Sequence, residues 1–156
     1  MISERFYFTI SNRVLEKTKE FLKISQLKQS EIVILWSGKI KDGMVRVQNA
    51  WLPLQYSDAG FYVIPGDELF KLNKSIYEAG ERLVAQVHTH PTLAFHSDTD
   101  SEYSVTSMEN GLSIVVPYFG AVSIESFSEC AYFIYERGRW TKLSVLEIQR
   151  VMIFEG

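Results

Sequence analysis

The sequence is poor in several residue types, and each scarcity narrows the classes of protein that it can represent. A single cysteine, Cys130, stands among 156 residues, so an internal disulfide and a metal site built on several thiolates are both excluded. Only four prolines occur, and no segment is rich in proline, glycine and serine, so the sequence shows no linker or disordered tract. We therefore expect one domain spanning residues 1–156.

An excess of basic charge and long apolar runs are also lacking. Sixteen Lys and Arg residues against nineteen Asp and Glu residues give a formal net charge of −3, which does not suit sequence-independent nucleic-acid binding. No stretch approaches the roughly 18 consecutive apolar residues of a membrane span. Residues 1–6 lack the basic segment and apolar run of a secretory signal. We expect a soluble, cytoplasmic protein without nucleic-acid or membrane partners.

Several segments have apolar residues at helical spacing. Ser11 or Asn12 can cap the first of these, because a side-chain oxygen there satisfies unpaired N–H groups of the first turn. Pro65 opens the second, which ends near Gly80. The predicted helices cover 12–28, 67–79, 98–108 and 145–154.

Apolar and alternating runs predict strands between these helices. The Asp42-Gly43 pair favours a hairpin turn, because a type I′ turn needs positive φ at both central positions. Arg137-Gly138 predicts a second turn of the chain. The predicted strands cover 6–10, 32–36, 44–54, 61–64, 82–90, 112–116, 124–127, 131–136 and 140–143. This irregular alternation predicts an α/β fold with a mixed sheet.

All three histidines, His88, His90 and His96, fall within nine residues. His88 and His90 are two apart at the end of a predicted strand, so both imidazoles project to one side and can hold one ion. A carboxylate of the following loop, Asp98 or Asp100, can fold back as a third ligand. Two imidazoles and one carboxylate leave a tetrahedral zinc with one open position, which is the composition of a hydrolytic site.

Two further residues have reactive side chains. Glu31 precedes a predicted buried strand, and a carboxylate there is a candidate base for a hydrolytic water. Without the other residues of the pattern, the simpler interpretation is that Glu31 is a solvated residue before the strand. Cys130 has no histidine near it in the sequence, so we expect a small buried apolar side chain rather than a nucleophile.

Together these segments resemble a known signature. The run E-I-V-I-L-W-S-G at 31–38, then H-T-H-P at 88–91 and S-D-T-D at 97–100, is similar to the JAMM signature of the JAB/MPN metalloproteases. In that family a glutamate opens a strand that ends in small residues and glycine, and H-[ST]-H-P and S-x-x-D follow. The order of predicted elements over 5–120 also resembles the family. The resemblance implies an MPN (cytidine-deaminase-like) fold, with a curved mixed sheet flanked by helices.

The resemblance also implies a role for each matching residue. His88, His90 and Asp100 correspond to the ligands of one zinc ion per chain. Glu31 corresponds to the general base that takes a proton from the attacking water and passes it to the leaving amine. Ser97 corresponds to the hydroxyl that stabilises the oxyanion.

One departure from the family pattern affects the loop. Six residues, 91–96, separate His90 from Ser97, one fewer than the family has. Asp98 therefore stays an alternative to Asp100 as the carboxylate ligand. His96 is extra to the signature, and we expect an exposed loop residue there.

The family implies a zinc isopeptidase or peptidase that cleaves after the C-terminal glycine of a ubiquitin-like protein. The sequence is most similar to bacterial stand-alone JAB proteins, which are encoded beside E1-like and E2-like enzymes, often in antiphage defence operons. A ubiquitin-like protein, its conjugates and such enzymes are the expected partners. Three alternatives stay open: a JAB peptidase that trims a sulfur-carrier or other precursor, a non-catalytic MPN scaffold, and an iron oxygenase with two histidines and one carboxylate.

Overall fold

A mixed sheet of eight strands organises the protein, in a computed structural model that describes residues 4–57, 62–94 and 108–155. The strands of these ranges are β1 (Tyr7–Ile10), β2 (Val33–Lys41), β3 (Met44–Trp51), β4 (Tyr56–Ser57), β5 (Tyr62–Val63), β6 (Arg82–Thr89), β7 (Leu112–Val116), β8 (Ala131–Glu136), β9 (Arg139–Lys142) and β10 (Met152–Phe154). The helices are α1 (Asn12–Lys28), α2 (Gly66–Glu78) and α3 (Val145–Val151), and a 3₁₀ turn covers Tyr118–Gly120.

The strand order of the sheet is β10-β1-β3-β2-β6-β7-β8-β9, and β4 and β5 form a separate hairpin. Strand β1 runs parallel to both β3 and β10, and β6 runs parallel to β7. The remaining neighbours are antiparallel. The predicted α/β class with a mixed sheet is confirmed. Strand β6 lies in the middle of the sheet, so hydrogen bonds from both sides fix the backbone at its carboxyl end.

Helix α1 covers one face of the sheet. Its first turn is capped by Ser11, whose Oγ accepts a hydrogen bond from Val14 N at 3.3 Å, and its bounds agree with the predicted 12–28. Its inward side chains are buried: Val14, Leu15, Thr18, Leu22 and Ser25. Trp36 on β2 is fully buried beneath the helix and donates from Nε1 to Thr18 Oγ1 at 3.0 Å. The main core therefore lies between α1 and the sheet.

The first hairpin confirms its turn prediction but extends the strand before it. Asp42 and Gly43 have φ of 52° and 77°, as a type I′ turn requires. Strand β2 continues past the predicted 32–36 because a bulge between Ser37 and Gly38 keeps it paired with β3. A Cβ at Gly38 would lie 2.0 Å from the carbonyl oxygen of Arg46, so only glycine fits this close approach.

Two predicted elements near the carboxyl end are wrong. Residues 124–127 form turns rather than a strand, with Ser126 N donating to Ser123 O at 3.0 Å and Phe127 N to Glu125 O at 3.1 Å. Ile124 is fully inside the core, and Phe127 is partly buried against it. The last helix ends at Val151 instead of 154, because the following residues pair with β1 as β10.

The helix predicted over 98–108 falls outside the described residues, apart from Met108. No helix in the described ranges is long and apolar enough to cross a membrane. A cytoplasmic location and a single domain over 1–156 stay predictions.

Candidate active site

The two histidines of the His-Thr-His segment lie at the carboxyl end of β6. His88 is fully buried within the strand, and His90 follows it with 4% of its surface exposed. Their ring centroids are 5.2 Å apart and their planes are tilted by 46°. Zinc binds imidazole nitrogen at about 2.0–2.1 Å, so two rings at a tetrahedral angle have centroids about 5 Å apart. The two imidazoles therefore fit as ligands of one ion.

Glu31 lies on the same side of the sheet as these histidines. Strands β2 and β6 pair in antiparallel register, and the N–H of Thr89 donates to the carbonyl of Ile32 at 3.1 Å just before β2 begins. Continuing this register by one residue puts Glu31 across from His90. Facing residues of an antiparallel pair share one side of the sheet. The register thus puts a buried carboxylate on the same side of the sheet as two buried imidazoles, although their segments are 57 residues apart in the sequence.

The backbone of His90 is hydrogen-bonded on both sides. Its N–H donates to Val116 O at 2.9 Å, which extends the β6–β7 ladder. Its carbonyl accepts from Phe119 N at 2.7 Å, and Tyr118 N donates to Thr92 O at 3.1 Å. All three residues of this 3₁₀ turn have left-handed φ, 54°, 53° and 82° in chain order. The turn supplies N–H donors to the loop that leaves the histidine strand.

The segment after β3 approaches the same region, which the sequence analysis did not anticipate. The Tyr62 ring lies 5.9 Å from the His88 ring, centroid to centroid. Gln55 makes two hydrogen bonds with the backbone of Val33: its Oε1 accepts from Val33 N at 2.9 Å, and its Nε2 donates to Val33 O at 3.0 Å. An amide side chain thus replaces a strand partner at the start of β2. Only tertiary contact reveals these two residues, since neither belongs to a motif.

The described residues do not include the other predicted site residues, Ser97 and Asp100, or the alternatives Asp98 and His96. Within 4–57, 62–94 and 108–155, no cluster of three or more His, Cys, Asp and Glu side chains could hold a metal ion. The described residues therefore offer two imidazoles that could hold a metal ion, and a complete set of ligands would need a further residue.

Cys130 is buried, as the sequence predicts. Burial raises the pKa of its thiol to about 12, with the charge of Glu129 adding to the effect. At neutral pH this cysteine is a thiol, so it does not supply a nucleophile for hydrolysis.

Comparison with known proteins agrees with a metal-dependent hydrolase. The chain is 31% identical over 126 residues to "Probable metalloprotease y4jG" of Sinorhizobium fredii strain NGR234, an alignment that covers 78% of each chain. This chain belongs to that metalloprotease family. Membership implies a protease that uses a metal cofactor. Among the described residues, the neighbouring rings of His88 and His90 suit the binding of a metal ion.

A solved structure supports the fold alone. The solution structure of protein DSY2949 from Desulfitobacterium hafniense matches with a TM-score of 0.61 at 17% identity, over 95% of this metalloprotease chain and 92% of its own. No family model matches the sequence.

Proposed function

We propose that this metalloprotease is a zinc peptidase of the JAMM type with an MPN fold. The observation that carries the proposal is the pairing of β2 with β6, whose register puts Glu31 on the side of the sheet that carries His88 and His90, and all three residues are buried. These positions come from two separate segments of the JAMM-like signature, at 31–38 and 88–91, and a chance match of sequence patterns would not require the two segments to pair side by side. The family membership supports the same reaction class at a coarser level.

His88, His90 and Asp100 would hold the zinc. Zinc bound there supplies a Lewis acid that polarises the scissile carbonyl and makes a water acidic near neutral pH. Burial of both histidine side chains favours such a site, because the low local dielectric strengthens the attraction between ligands and cation.

The remaining chemistry belongs to the chain's own residues. Glu31 accepts a proton from the attacking water and returns it to the leaving amine, and its position across from His90 suits that task. The Ser97 hydroxyl donates a hydrogen bond to the developing oxyanion, a contribution of about 3 kcal/mol to lowering the barrier.

We further propose that the substrate is a ubiquitin-like protein, cleaved after its C-terminal glycine from a conjugate or a precursor. The support is the similarity of the signature to bacterial stand-alone JAB proteins, whose partners include E1-like and E2-like enzymes. Recognition is expected mainly through the extended C-terminal tail of such a protein, because main-chain hydrogen bonds can bind an extended segment as an added strand. A sulfur-carrier precursor of the same fold is the alternative substrate.

The test is a comparison of two buried glutamates. Glu31→Gln removes the base without changing shape, and we expect cleavage of a ubiquitin-like fusion to slow by roughly 10²–10⁴-fold, with zinc content unchanged. Glu81→Gln is the matched control, since Glu81 is equally buried at the opposite end of β6, where it accepts hydrogen bonds from Ser37 and Asn49. It should lose stability and keep its rate.

Metal dependence completes the test. Chelation should abolish cleavage by the wild type, and stoichiometric zinc should restore it. Cleavage by Glu31→Gln at the wild-type rate would refute the assigned base. Cleavage of a sulfur-carrier precursor in place of the ubiquitin-like fusion would keep the mechanism and change the substrate.

A further inference from the structure

A chain of buried hydroxyl groups lies behind the candidate site, on the α1 side of the sheet. The Thr89 hydroxyl is 3.0 Å from Ile32 N and 2.8 Å from the Ser25 hydroxyl. The Ser25 hydroxyl is in turn 2.6 Å from Ser30 O. Ser25 and Thr89 are both fully buried. Three segments distant in the sequence are joined here: the end of α1, the residues before β2 and the His-Thr-His segment.

The direction of each hydrogen bond in this chain is determined by chemistry. The carbonyl of Ser30 can only accept, so the Ser25 hydroxyl donates to it. The N–H of Ile32 can only donate, so the Thr89 hydroxyl accepts from it. The single proton of Thr89 is then left for Ser25 Oγ. Each hydroxyl therefore donates one hydrogen bond and accepts one, and deletion of either leaves a buried polar group without its partner.

The two backbone groups at the ends of this chain flank a single residue. Ser30 C=O belongs to the peptide group before Glu31, and Ile32 N–H belongs to the peptide group after it. The hydroxyl chain therefore holds the backbone of Glu31 from both sides. Its other fixed point, Thr89, lies between His88 and His90 on the histidine strand.

The Thr89 hydroxyl also replaces a standard sheet contact. In a regular antiparallel pair, Ile32 N–H would donate to the carbonyl of the facing residue, completing the bond that Thr89 N already makes to Ile32 O. Here the Thr89 side chain accepts instead. The ladder between β2 and β6 thus ends in a side-chain contact at the residue next to Glu31.

We propose that Thr89 and Ser25 are positioning residues that set the place of Glu31 relative to His88 and His90. Their role rests on the function proposed for Glu31. Neither hydroxyl touches the reacting groups, because Thr89 alternates with the histidines and faces the helix side of the sheet. They act through the backbone of Glu31. Ser25 of α1 and Thr89 of β6 together hold the main chain on both sides of Glu31 against the strand that carries His88 and His90.

Removal and restoration of the hydroxyl test this role. In Thr89→Val, which keeps the shape and loses the hydroxyl, we expect kcat to fall roughly 10–100-fold, as for other residues that orient catalytic groups, with KM and zinc content unchanged. Thr89→Ser should restore kcat to within about threefold of the wild type. Ser25→Ala should resemble Thr89→Val, and the double variant should be no slower than either single variant, because one chain of hydrogen bonds is broken in each case.

Thr18→Val is the matched control. Thr18 is also a fully buried hydroxyl of α1 that binds β2, through Trp36 Nε1 at 3.0 Å. It anchors the same helix to the same strand at a position away from Glu31. Its loss should lower the melting temperature about as much as Thr89→Val does and leave kcat within about twofold. An equal loss of kcat in Thr18→Val and Thr89→Val would overturn the proposal and show a general effect of destabilisation.

Hydrogen exchange separates this role from the proposed reaction. In the full-length protein as purified, the Ile32 amide should exchange at least tenfold faster in Thr89→Val than in the wild type, and at the wild-type rate in Thr18→Val. Unchanged Ile32 protection in Thr89→Val would overturn the proposed contact whatever the activity. If wild-type protein cleaves no substrate while Ile32 behaves as expected, the proposed reaction fails and the positioning of Glu31 stands.

Discussion

Gly120 lies in the turn that contacts both helix α1 and the end of the histidine strand. Gly120→Ala is a quantitative test of how far this turn stabilises the candidate site. Gly120 has φ of +82°, where an L side chain is strained. A Cβ there would lie 3.0 Å from Leu22 O and 3.2 Å from Leu22 Cβ, so α1 would have to move by a few tenths of an ångström. Gly120 follows Phe119, whose N–H binds His90 O at 2.7 Å.

The expected cost of Gly120→Ala has two parts. The left-handed conformation costs an alanine roughly 1–2 kcal/mol. Crowding against Leu22, which is buried in the core, adds about 1 kcal/mol or more. Alanine also restricts the unfolded chain, which offsets about 0.4–1 kcal/mol of this total of about 2–3 kcal/mol. The net loss of roughly 1–2.6 kcal/mol lowers the melting temperature of a 150-residue domain by roughly 2–10 °C.

Two other glycines isolate the contact with Leu22. Gly80 and Gly138 have φ of +74° and +78°, and a Cβ at either meets nothing within 4 Å. Gly80→Ala and Gly138→Ala therefore carry the conformational cost and the same unfolded-state offset without the crowding. Thermal unfolding of the three variants should place Gly120→Ala several degrees below both controls.

The same three variants report on the site. Because the turn donates to the backbone of His90, Gly120→Ala should weaken zinc binding in a chelator competition, and the control variants should bind as the wild type does. A melting temperature for Gly120→Ala equal to that of Gly80→Ala would refute the packing argument. Unchanged zinc affinity in a destabilised Gly120→Ala would refute the link between the turn and His90.

Three further predictions concern the sheet, acid stability and the loop ligand. Gly38→Ala should prevent folding or lower the melting temperature by more than 10 °C in thermal melts, since its Cβ would lie 2.0 Å from a backbone oxygen of β3. The hydrogen bond from Arg5 lowers the pKa of Glu147 from 4.5 to about 2. The pair, which is partly exposed to solvent, therefore stabilises the fold by about 1 kcal/mol above pH 4.5, and this contribution is lost as the pH falls toward 2. The free energies of unfolding of Glu147→Gln and wild type, measured in urea, should become equal at that pH. Asp100→Ala should lose zinc and activity in metal analysis and peptidase assay while Asp98→Ala keeps both, and the reverse result would make Asp98 the ligand.

Elements with strong local signals could be predicted from the sequence. The bounds of α1 follow from the Ser11 cap and apolar residues at helical spacing, and the structure gives Asn12–Lys28. Strand β7 likewise coincides with the predicted 112–116. The Asp42-Gly43 and Arg137-Gly138 turns have the positive φ values that such pairs favour. In each case the deciding interactions lie within a few residues of one another.

Elements whose partners are distant in the sequence were predicted less well. Apolar spacing continues the last helix to Phe154, but pairing with β1, about 140 residues earlier, makes Met152–Phe154 a strand. Residues 124–127 have the composition of a strand, and no neighbouring strand offers them a ladder. Local composition does not distinguish these outcomes, because the hydrogen-bonding partner decides them.

The sequence by itself determined the chemistry of the candidate site: two imidazoles at alternate strand positions, and a glutamate and loop carboxylates in an order similar to the JAMM signature. Tertiary structure alone decided that Glu31 faces His90, that Tyr62 lies beside His88, and that Ser25 and Thr89 join through hydroxyls. The sequence determines which side chains are present. These contacts depend instead on strand register and helix packing, which follow from burial across the whole sheet.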